Sequence, residues 1–592
     1  MSNKHFVNDP VHLVNLALRS APLTNPSLAL DEENKIVYCK SSPESQAGRV
    51  AIVSGGGAGH EPSFVSFVGD GVLRAAVSGS IFASPSVKQI YSCITRRVNP
   101  NSGVLLIVMN YTGDILHFGL ASEKAKAAGV DVDMVVVADD VGVGREKNGK
   151  VGRRGIAGTV LVHKIAGALA AATPGTASLK EVSALATLVA ANLVSVGSSL
   201  AHVHVPGRVI ASDGDEEGSL KPDEIEIGMG IHNEQGCKRV KIPELPELVG
   251  MLLDQLLSKE DKDRNYLEDV ENVEGWVLML NNLGGVSPLE MGAITTEAVK
   301  QLDSTYSIKP TRVFAGTFMT SLNGNGFSIS LLRLVDTGLG KGKSMLDLLD
   351  APHESLGWSA PVKQETWASK DIQTQSSDSD AKEESIPPSG LKLNVDKFSH
   401  TLSASLQSLI KAEPEISRYD EQVGDGDCGS ALKKGAEAIL QLINTNKIHP
   451  DAVITISTLA EVVEENMDGT SGAIYSIFLN SLAKALREAG EGEASLGVWA
   501  KAAMAALVSL RKYTPAQPGD RTLVDALQPC IISLAEHGDV SKAAKAAREG
   551  AESTRGMKAS LGRSVYVGEL GDTPDPGAIG IAVFMEGLAG AV

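Results

Sequence analysis

Residues 369–390 read SKDIQTQSSDSDAKEESIPPSG, a run of Ser, Asp, Glu and Pro with almost nothing to bury. Such a run cannot offset the entropy of its own ordering, so it is read as a flexible linker. The hydrophobic pattern changes across it, and no single fold accommodates both patterns. In 1–368, short apolar runs end in glycine-rich turns: RVAIVS at 49–54, VLLIVM at 104–109 and MVVVA at 134–138. Helical patterns such as 122–129 lie between them, and strand-like runs return at 275–281, 309–314 and 327–335. That alternation predicts an α/β domain with a parallel or mixed sheet, in two lobes meeting near 180–200. In 391–592 the period becomes helical. Apolar positions recur every three or four residues over 395–412, 435–444, 455–466, 474–491, 496–513, 523–537 and 540–554. These predict an all-α bundle or barrel of about seven or eight helices.

Composition narrows the partners. Formal net charge is −18, and no Lys/Arg-rich block offsets it, so nucleic acid is excluded as a partner. The five cysteines, Cys39, Cys93, Cys237, Cys428 and Cys530, form no C-x-x-C pair and are read as reduced thiols of a cytoplasmic protein. Residues 1–10 lack the apolar core of a secretory signal, and no run approaches the roughly 20 apolar residues of a membrane span.

Three segments before the linker carry candidate chemistry. SGGGAGHEP at 54–62 follows a predicted strand, and its glycines let a ligand approach the backbone of a turn whose mouth holds His60. NYTGD at 110–114 sets Asp114 at a second strand end, and IEIGMGIHN at 225–233 presents His232 after a third. A single histidine is more often structural than catalytic. Two with an aspartate, each after a glycine-rich strand end, point to a site.

After the linker, YDEQVGDGDCG at 419–429 clusters Asp420, Asp425 and Asp427. Carboxylates this close raise one another's pKa unless a cation lies between them, and oxygen-only ligands favour Mg²⁺ over zinc. The alternative is a solvated acidic loop. Gly424–Gly429 also satisfies G-x-G-x-x-G, but no strand precedes it, so a dinucleotide fingerprint is rejected. MDGTSG at 467–472, PGDRT at 518–522 and Asp575-Pro576-Gly577 are ordinary turns taken singly. Around a magnesium–phosphate site their hydroxyls and amides would suit a nucleotide. The acidic stretch 213–224 matches EF-hand spacing but lacks both flanking helices, so calcium binding is set aside.

SGGGAGHEP, NYTGD, VGRRGIAGTVLVHKIAGA at 151–168, GMGIH and NNLGG at 281–285 resemble the substrate subunit of dihydroxyacetone kinases. YDEQVGDGDCG, DGTSGAIY at 468–475, PGDRT and PDPGA resemble their nucleotide-binding domain, in the family's order and over nearly the whole chain. The resemblance implies an α/β two-lobed substrate domain followed by an all-α eight-helix barrel that binds ATP and Mg²⁺. It implies that His232 traps the substrate carbonyl as a hemiaminal, with His60 and Asp114 as the acid/base pair. Gly57, Ala58, Gly59 and Met109 fall at substrate-contact positions. Cys428, Gly429, Ser430, Ala431, Thr470, Ser471, Thr522, Arg563, Asp575, Pro576 and Gly577 fall in the nucleotide segments, and Asp420, Asp425 and Asp427 at the metal positions. Three residues depart from the family pattern: Met109 replaces an expected lysine, and Asn233 and Asp468 each replace a glycine. The implied activity is phosphorylation of dihydroxyacetone, and of glyceraldehyde, by a homodimer. A lyase forming cyclic FMN from FAD and a non-catalytic triose-binding regulator are the alternatives.

Overall fold

The computed structural model describes residues 4–40, 47–147, 149–172, 175–208, 220–267, 273–360, 362–368, 386–467, 469–561, 563–566 and 571–592. The chain divides into two compact units, Met1–Gln373 and Thr374–Val592. Most of the predicted linker (369–385), residues 213–219 of the acidic stretch, and Asp468 lie outside the described residues.

Among the described residues the first unit holds two six-stranded sheets. In chain order the first sheet comprises β1 (Leu28–Asp31), β2 (Ile36–Cys39), β3 (Ala51–Ala58), β4 (Ala75–Ile81), β5 (Val104–Met109) and β6 (Val132–Val137). They lie side by side as β1-β2-β4-β3-β5-β6, with β4, β3, β5 and β6 parallel. The second sheet comprises β7 (Leu193–Ser199), β8 (Glu224–Ile227), β9 (Lys238–Lys241), β10 (Val273–Asn282), β11 (Arg312–Gly316) and β12 (Gly326–Val335). Its order is β11-β10-β12-β7-β8-β9, antiparallel except for β10 with β11. The helices Thr159–Ala171 and Leu179–Ala191 share one apolar core with Leu105 and Ile107 of the first sheet and Met279 and Leu332 of the second. Burial on both faces explains why β5 is apolar at all six positions.

One expectation needs correcting. The glycines after Ser54 are not a turn: β3 runs through them to Ala58. A Cβ on Gly55 would lie 2.2 Å from the Val77 carbonyl oxygen of β4, and one on Gly57 would lie 2.7 Å from Ala83 N. The glycines therefore let β3 press against its neighbours, and His60 follows directly after the strand.

The second unit has eight α-helices among the described residues: Val395–Val423, Cys428–Asn444, Ala452–Asn466, Gly469–Glu488, Leu496–Leu510, Val524–His537, Val540–Ser553 and Pro576–Gly590. Each packs on its chain neighbours and the last packs on the first, which closes a ring. The ring encloses an apolar cavity of about 270 Å³. The last helix begins where the sequence suggested a turn, since Asp575 is its N-cap and accepts a hydrogen bond from Ala578 N at 2.8 Å. Among the described residues no helix is long and apolar enough to cross a membrane.

Candidate active site

In the first unit three chain segments converge. His60 leaves the end of β3 and is completely buried. Its Nδ1 lies 2.9 Å from the carbonyl oxygen of Thr320. A carbonyl only accepts, so Nδ1 carries the hydrogen and Nε2 is left with its lone pair. His232 lies in the turn after β8. Its Nδ1 is 2.8 Å from Glu234 Oε1, and its backbone N–H donates to Glu234 Oε2 at 2.8 Å. The two Nε2 atoms face each other at 3.0 Å.

Two opposed lone pairs at that distance repel, so a hydrogen must lie between the rings. Burial, with the neighbouring His232, pushes His60 down to about 3, so His60 does not hold it. The hydrogen is therefore assigned to His232 Nε2, with Nδ1 turned to Glu234. Burial opposes ionisation of Glu234, but the hydrogen bond and charge of His232 outweigh it and hold the carboxyl at about 2. Phe82 stacks on His60 at 5.1 Å, and the Tyr111 ring meets His232 edge-on at 4.7 Å.

Asp114 sits in the first turn of the helix Thr112–Ala127 and is 5% exposed. Burial raises its pKa against the hydrogen bond with Ser84 and the charge of His232. Its Oδ1 is buried with no hydrogen-bond partner among the described residues. An orphaned carboxylate oxygen beside a histidine pair is an acceptor awaiting a donor.

The other expected substrate positions differ in kind. Gly57 and Ala58 lie in β3, and the carbonyls of Ala58 and Gly59 accept from Phe82 N and Leu322 N. Met109 is 1% exposed and belongs to the apolar core, packed by Gly155. Asn233 adopts φ +65°, a left-handed conformation asparagine tolerates better than most residues. Its side chain exchanges two 2.9 Å hydrogen bonds with the Val203 backbone. Sequence reasoning did not single out Glu234, Thr320, Tyr111 or Phe82. Glu234 stands two residues after His232 and could have been suspected as its orienting partner, whereas nothing in the sequence marks Thr320.

In the second unit Asp420 ends one helix and Asp427 caps the next, with Asp425 on the turn between them. One carboxylate oxygen from each lies within 4.8 Å of the other two. Asp420 is 7% exposed, and its Oδ2 accepts from Cys428 N at 2.9 Å. Burial raises its pKa, and the neighbouring charges of Asp425 and Asp427 add to that effect. This hard oxygen donor set fits Mg²⁺. The carboxylates open on a cleft of about 300 Å³ that Cys428, Ala431, Thr470, Ser471, Thr522, Asp575, Pro576 and Gly577 also line. Gly429 instead packs against Glu413 and Ser417, and the Ser430 hydroxyl bonds to Asp427 O at 2.9 Å. Arg563 begins a short 3₁₀ turn, and its side chain lies outside the described residues. The cleft also has a wall residue absent from the expected set: Arg521, 1% exposed, donates to Thr573 O at 2.7 Å.

A two-sheet α/β unit with two histidines facing each other, followed by a helical ring with a carboxylate turn, defines a two-domain class. Residues 20–357 match the Dak1 domain and residues 422–590 the DAK2 domain. The chain belongs to the dihydroxyacetone kinase family. It is 46% identical over 611 residues to the dihydroxyacetone kinase of Pichia angusta, covering 100% of this chain and 99% of that one. It is 35% identical to the triokinase/FMN cyclase of Mus musculus, over 99% and 98% of the two chains. Among solved structures, the dihydroxyacetone kinase of C. freundii covers 100% of both chains at 31% identity and a TM-score of 0.64. The same C. freundii enzyme has been solved in complex with AMP-PNP and Mg²⁺.

Proposed function

We infer that this protein is an ATP-dependent dihydroxyacetone kinase that holds its triose covalently on His232 while a terminal hydroxyl is phosphorylated. The observation that carries the reading is the His60–His232 pair, backed by Glu234 and flanked by the orphaned Asp114 oxygen.

The triose carbonyl enters by separating the two imidazoles, which leave no room for a carbon atom at 3.0 Å. The Nε2 hydrogen of His232 leaves to solvent by way of His60, which frees a lone pair. Nε2 then attacks the carbonyl carbon: the C–N bond forms, the C=O π bond breaks, and the oxygen takes a hydrogen from solvent by way of His60. His232 ends as a substituted imidazolium whose charge Glu234 balances. Polyols have no carbonyl to attack, so this step separates dihydroxyacetone from glycerol. Asp114 accepts the hydrogen of the hydroxyl that attacks the γ-phosphate, and its raised pKa suits it to that task. Gly57, Ala58 and Gly59 line the triose from the strand side, while Met109 offers it no charge.

The nucleotide belongs to the cleft of the helical unit, along Cys428–Ala431, Thr470, Ser471, Thr522, Arg563 and Asp575–Gly577. Asp420, Asp425 and Asp427 would hold Mg²⁺, which when bound neutralises phosphate charge. On this reading 1–368 binds the triose, 391–592 binds ATP, and the segment between links them. Glyceraldehyde is a second substrate, and the protein works as a cytoplasmic homodimer.

The test is ADP release from ATP and Mg²⁺ with dihydroxyacetone, glycerol or neither present. Turnover with dihydroxyacetone alone is expected. Equal ADP release in all three would refute the kinase reading. The kinship with triokinase/FMN cyclases supports a second activity, FAD cleavage to AMP and cyclic FMN, and His232→Ala should abolish triose phosphorylation while sparing it.

A further inference from the structure

The VGRRG segment has no part in the chemistry above, yet it places a cation behind the nucleophile. Arg154 donates to Asp140 Oδ2 through Nε at 2.8 Å and to the Gly228 carbonyl through Nη2 at 2.6 Å, and Nη2 is ion-paired with Asp140 Oδ2 at 2.7 Å. Asp140 follows β6 of the first sheet, and Gly228 follows β8 of the second, so this guanidinium joins the sheet ends that carry the site. Its remaining nitrogen faces the catalytic turn. A Cβ on Gly230 would lie 2.1 Å from Glu234 Oε2 and 2.6 Å from Arg154 Nη1, so both charged groups press on one glycine hydrogen. The carbonyl of Glu234 also accepts from Gly230 N at 3.0 Å, which closes the turn around them.

Asp140 is 1% exposed at its side chain and Arg154 13%, so little water screens the arrangement. The charged and titratable groups that face His232 are Glu234, His60, Tyr111 and Asp114. Those that face Arg154 are Asp140, Glu234 and Tyr111. The Arg154 charge therefore acts on Glu234 across Gly230, while His232 bonds to it directly.

We propose that Arg154, braced by Asp140, is a positioning residue that limits how strongly Glu234 holds the proton on His232, and so sets the pH at which His232 becomes a nucleophile. The inference rests on the covalent role of His232 given above. Arg154 disfavours the imidazolium in two ways, by its own positive charge and by drawing on the Glu234 carboxylate. Without it, the full charge of Glu234 falls on His232, and the proton leaves at higher pH. A charge within about 4–6 Å shifts a titration by 1–3 units, so the acid limb of the rate profile should rise by about one unit.

The experiment is the pH profile of kcat/KM for dihydroxyacetone at saturating MgATP, from about pH 5.5 to 9, for the full-length chain. Dihydroxyacetone does not ionise there, so the limb reports the enzyme. Arg154→Gln should move the acid limb upward by about one unit, a roughly tenfold extra loss at the acid end that recovers at the alkaline end. Arg154→Lys keeps the cation and should leave the limb in place, even if the overall rate falls. Arg154→Gln strands a buried Asp140 and could fail to fold. The double variant Asp140→Asn/Arg154→Gln avoids that and should keep the upward sign at about half the size, because Asp140 is the more distant charge. A pH-independent loss with the limb unmoved, in either Gln variant, would mean that Arg154 is merely structural and would overturn the proposal. If the native chain shows no dihydroxyacetone-dependent turnover, the kinase reading itself fails, which is a different result.

Discussion

Replacing Glu234 with glutamine tests the charge pairing at its centre. The carboxylate makes two 2.8 Å bonds to one residue, to the His232 ring through Oε1 and to its backbone N–H through Oε2. Glutamine keeps one acceptor oxygen, but its amide presents hydrogens to whichever donor faces the other end. One charge-assisted bond becomes neutral and the other becomes a donor–donor conflict. Bonds to charged groups are worth about 1.5–3 kcal/mol, so a loss of about 2–3 kcal/mol in the step that places positive charge on His232 is expected. That corresponds to a roughly 30- to 150-fold fall in kcat/KM for dihydroxyacetone. The sign of the pH effect follows from the same pairing. Glu234, held at about 2, is an anion at every working pH, and removing it makes the imidazolium harder to keep. The acid limb should therefore move down, opposite to the direction expected when Arg154 is neutralised. The Glu234 side chain is 34% exposed, so the substitution leaves no deeply buried orphan, and unchanged urea unfolding is the control. Steady-state ADP release across the pH range is the assay. A loss under about threefold at neutral pH, or a limb that moves up, would refute the reasoning.

Two further expectations concern stability. His163 is completely buried against Phe64 and Phe67, neither ring nitrogen has a partner among the described residues, and burial pushes it down to about 3. The unfolded chain protonates this histidine near 6.5 and the folded chain does not, so stability is lost as pH falls below that value. His163→Leu should remove about 2 kcal/mol of that loss at pH 5, seen as a stability difference from the native chain that changes between pH 8 and pH 5 in urea melts; the same difference at both pH values would contradict it. Gly55→Ala would place a methyl 2.2 Å from the Val77 carbonyl oxygen and force β3 from β4. A destabilisation of about 2–3 kcal/mol and reduced turnover should follow, because β3 delivers His60; an unchanged urea midpoint would show that the sheet absorbs the methyl.

The helix Pro576–Gly590 shows where reading by period fails. Its sequence, PGAIGIAVFMEGLAG, is apolar nearly all round, so it carries no stripe of three- and four-residue spacing, and the Asp575-Pro576-Gly577 at its start read only as a turn. The glycines of β3 were misplaced for a related reason. Glycine lowers strand propensity, so a run of three reads as a turn unless the neighbouring strand that requires them is in view. The carboxylate turn was legible because its chemistry is local: Asp420, Asp425 and Asp427 span eight positions, and one helix–turn–helix brings them together. Arg154 stood inside a recognised motif, but its partners Asp140 and Gly228 follow strands of different sheets, so its role could not be read from the motif.

By itself the sequence determined two units of different architecture and which residue types could do chemistry in each. Short apolar runs with glycine ends specify sheet, an apolar repeat of three and four specifies helix, and both are local properties of the chain. Tertiary structure decided that His60 meets His232, 172 positions away, and that Thr320, 260 positions away, sets its tautomer. Those contacts depend on the order in which twelve strands lie side by side and on a core shared by both sheets. Strand order is a property of the packed whole, because each strand gains by burial against neighbours that its own residues do not name.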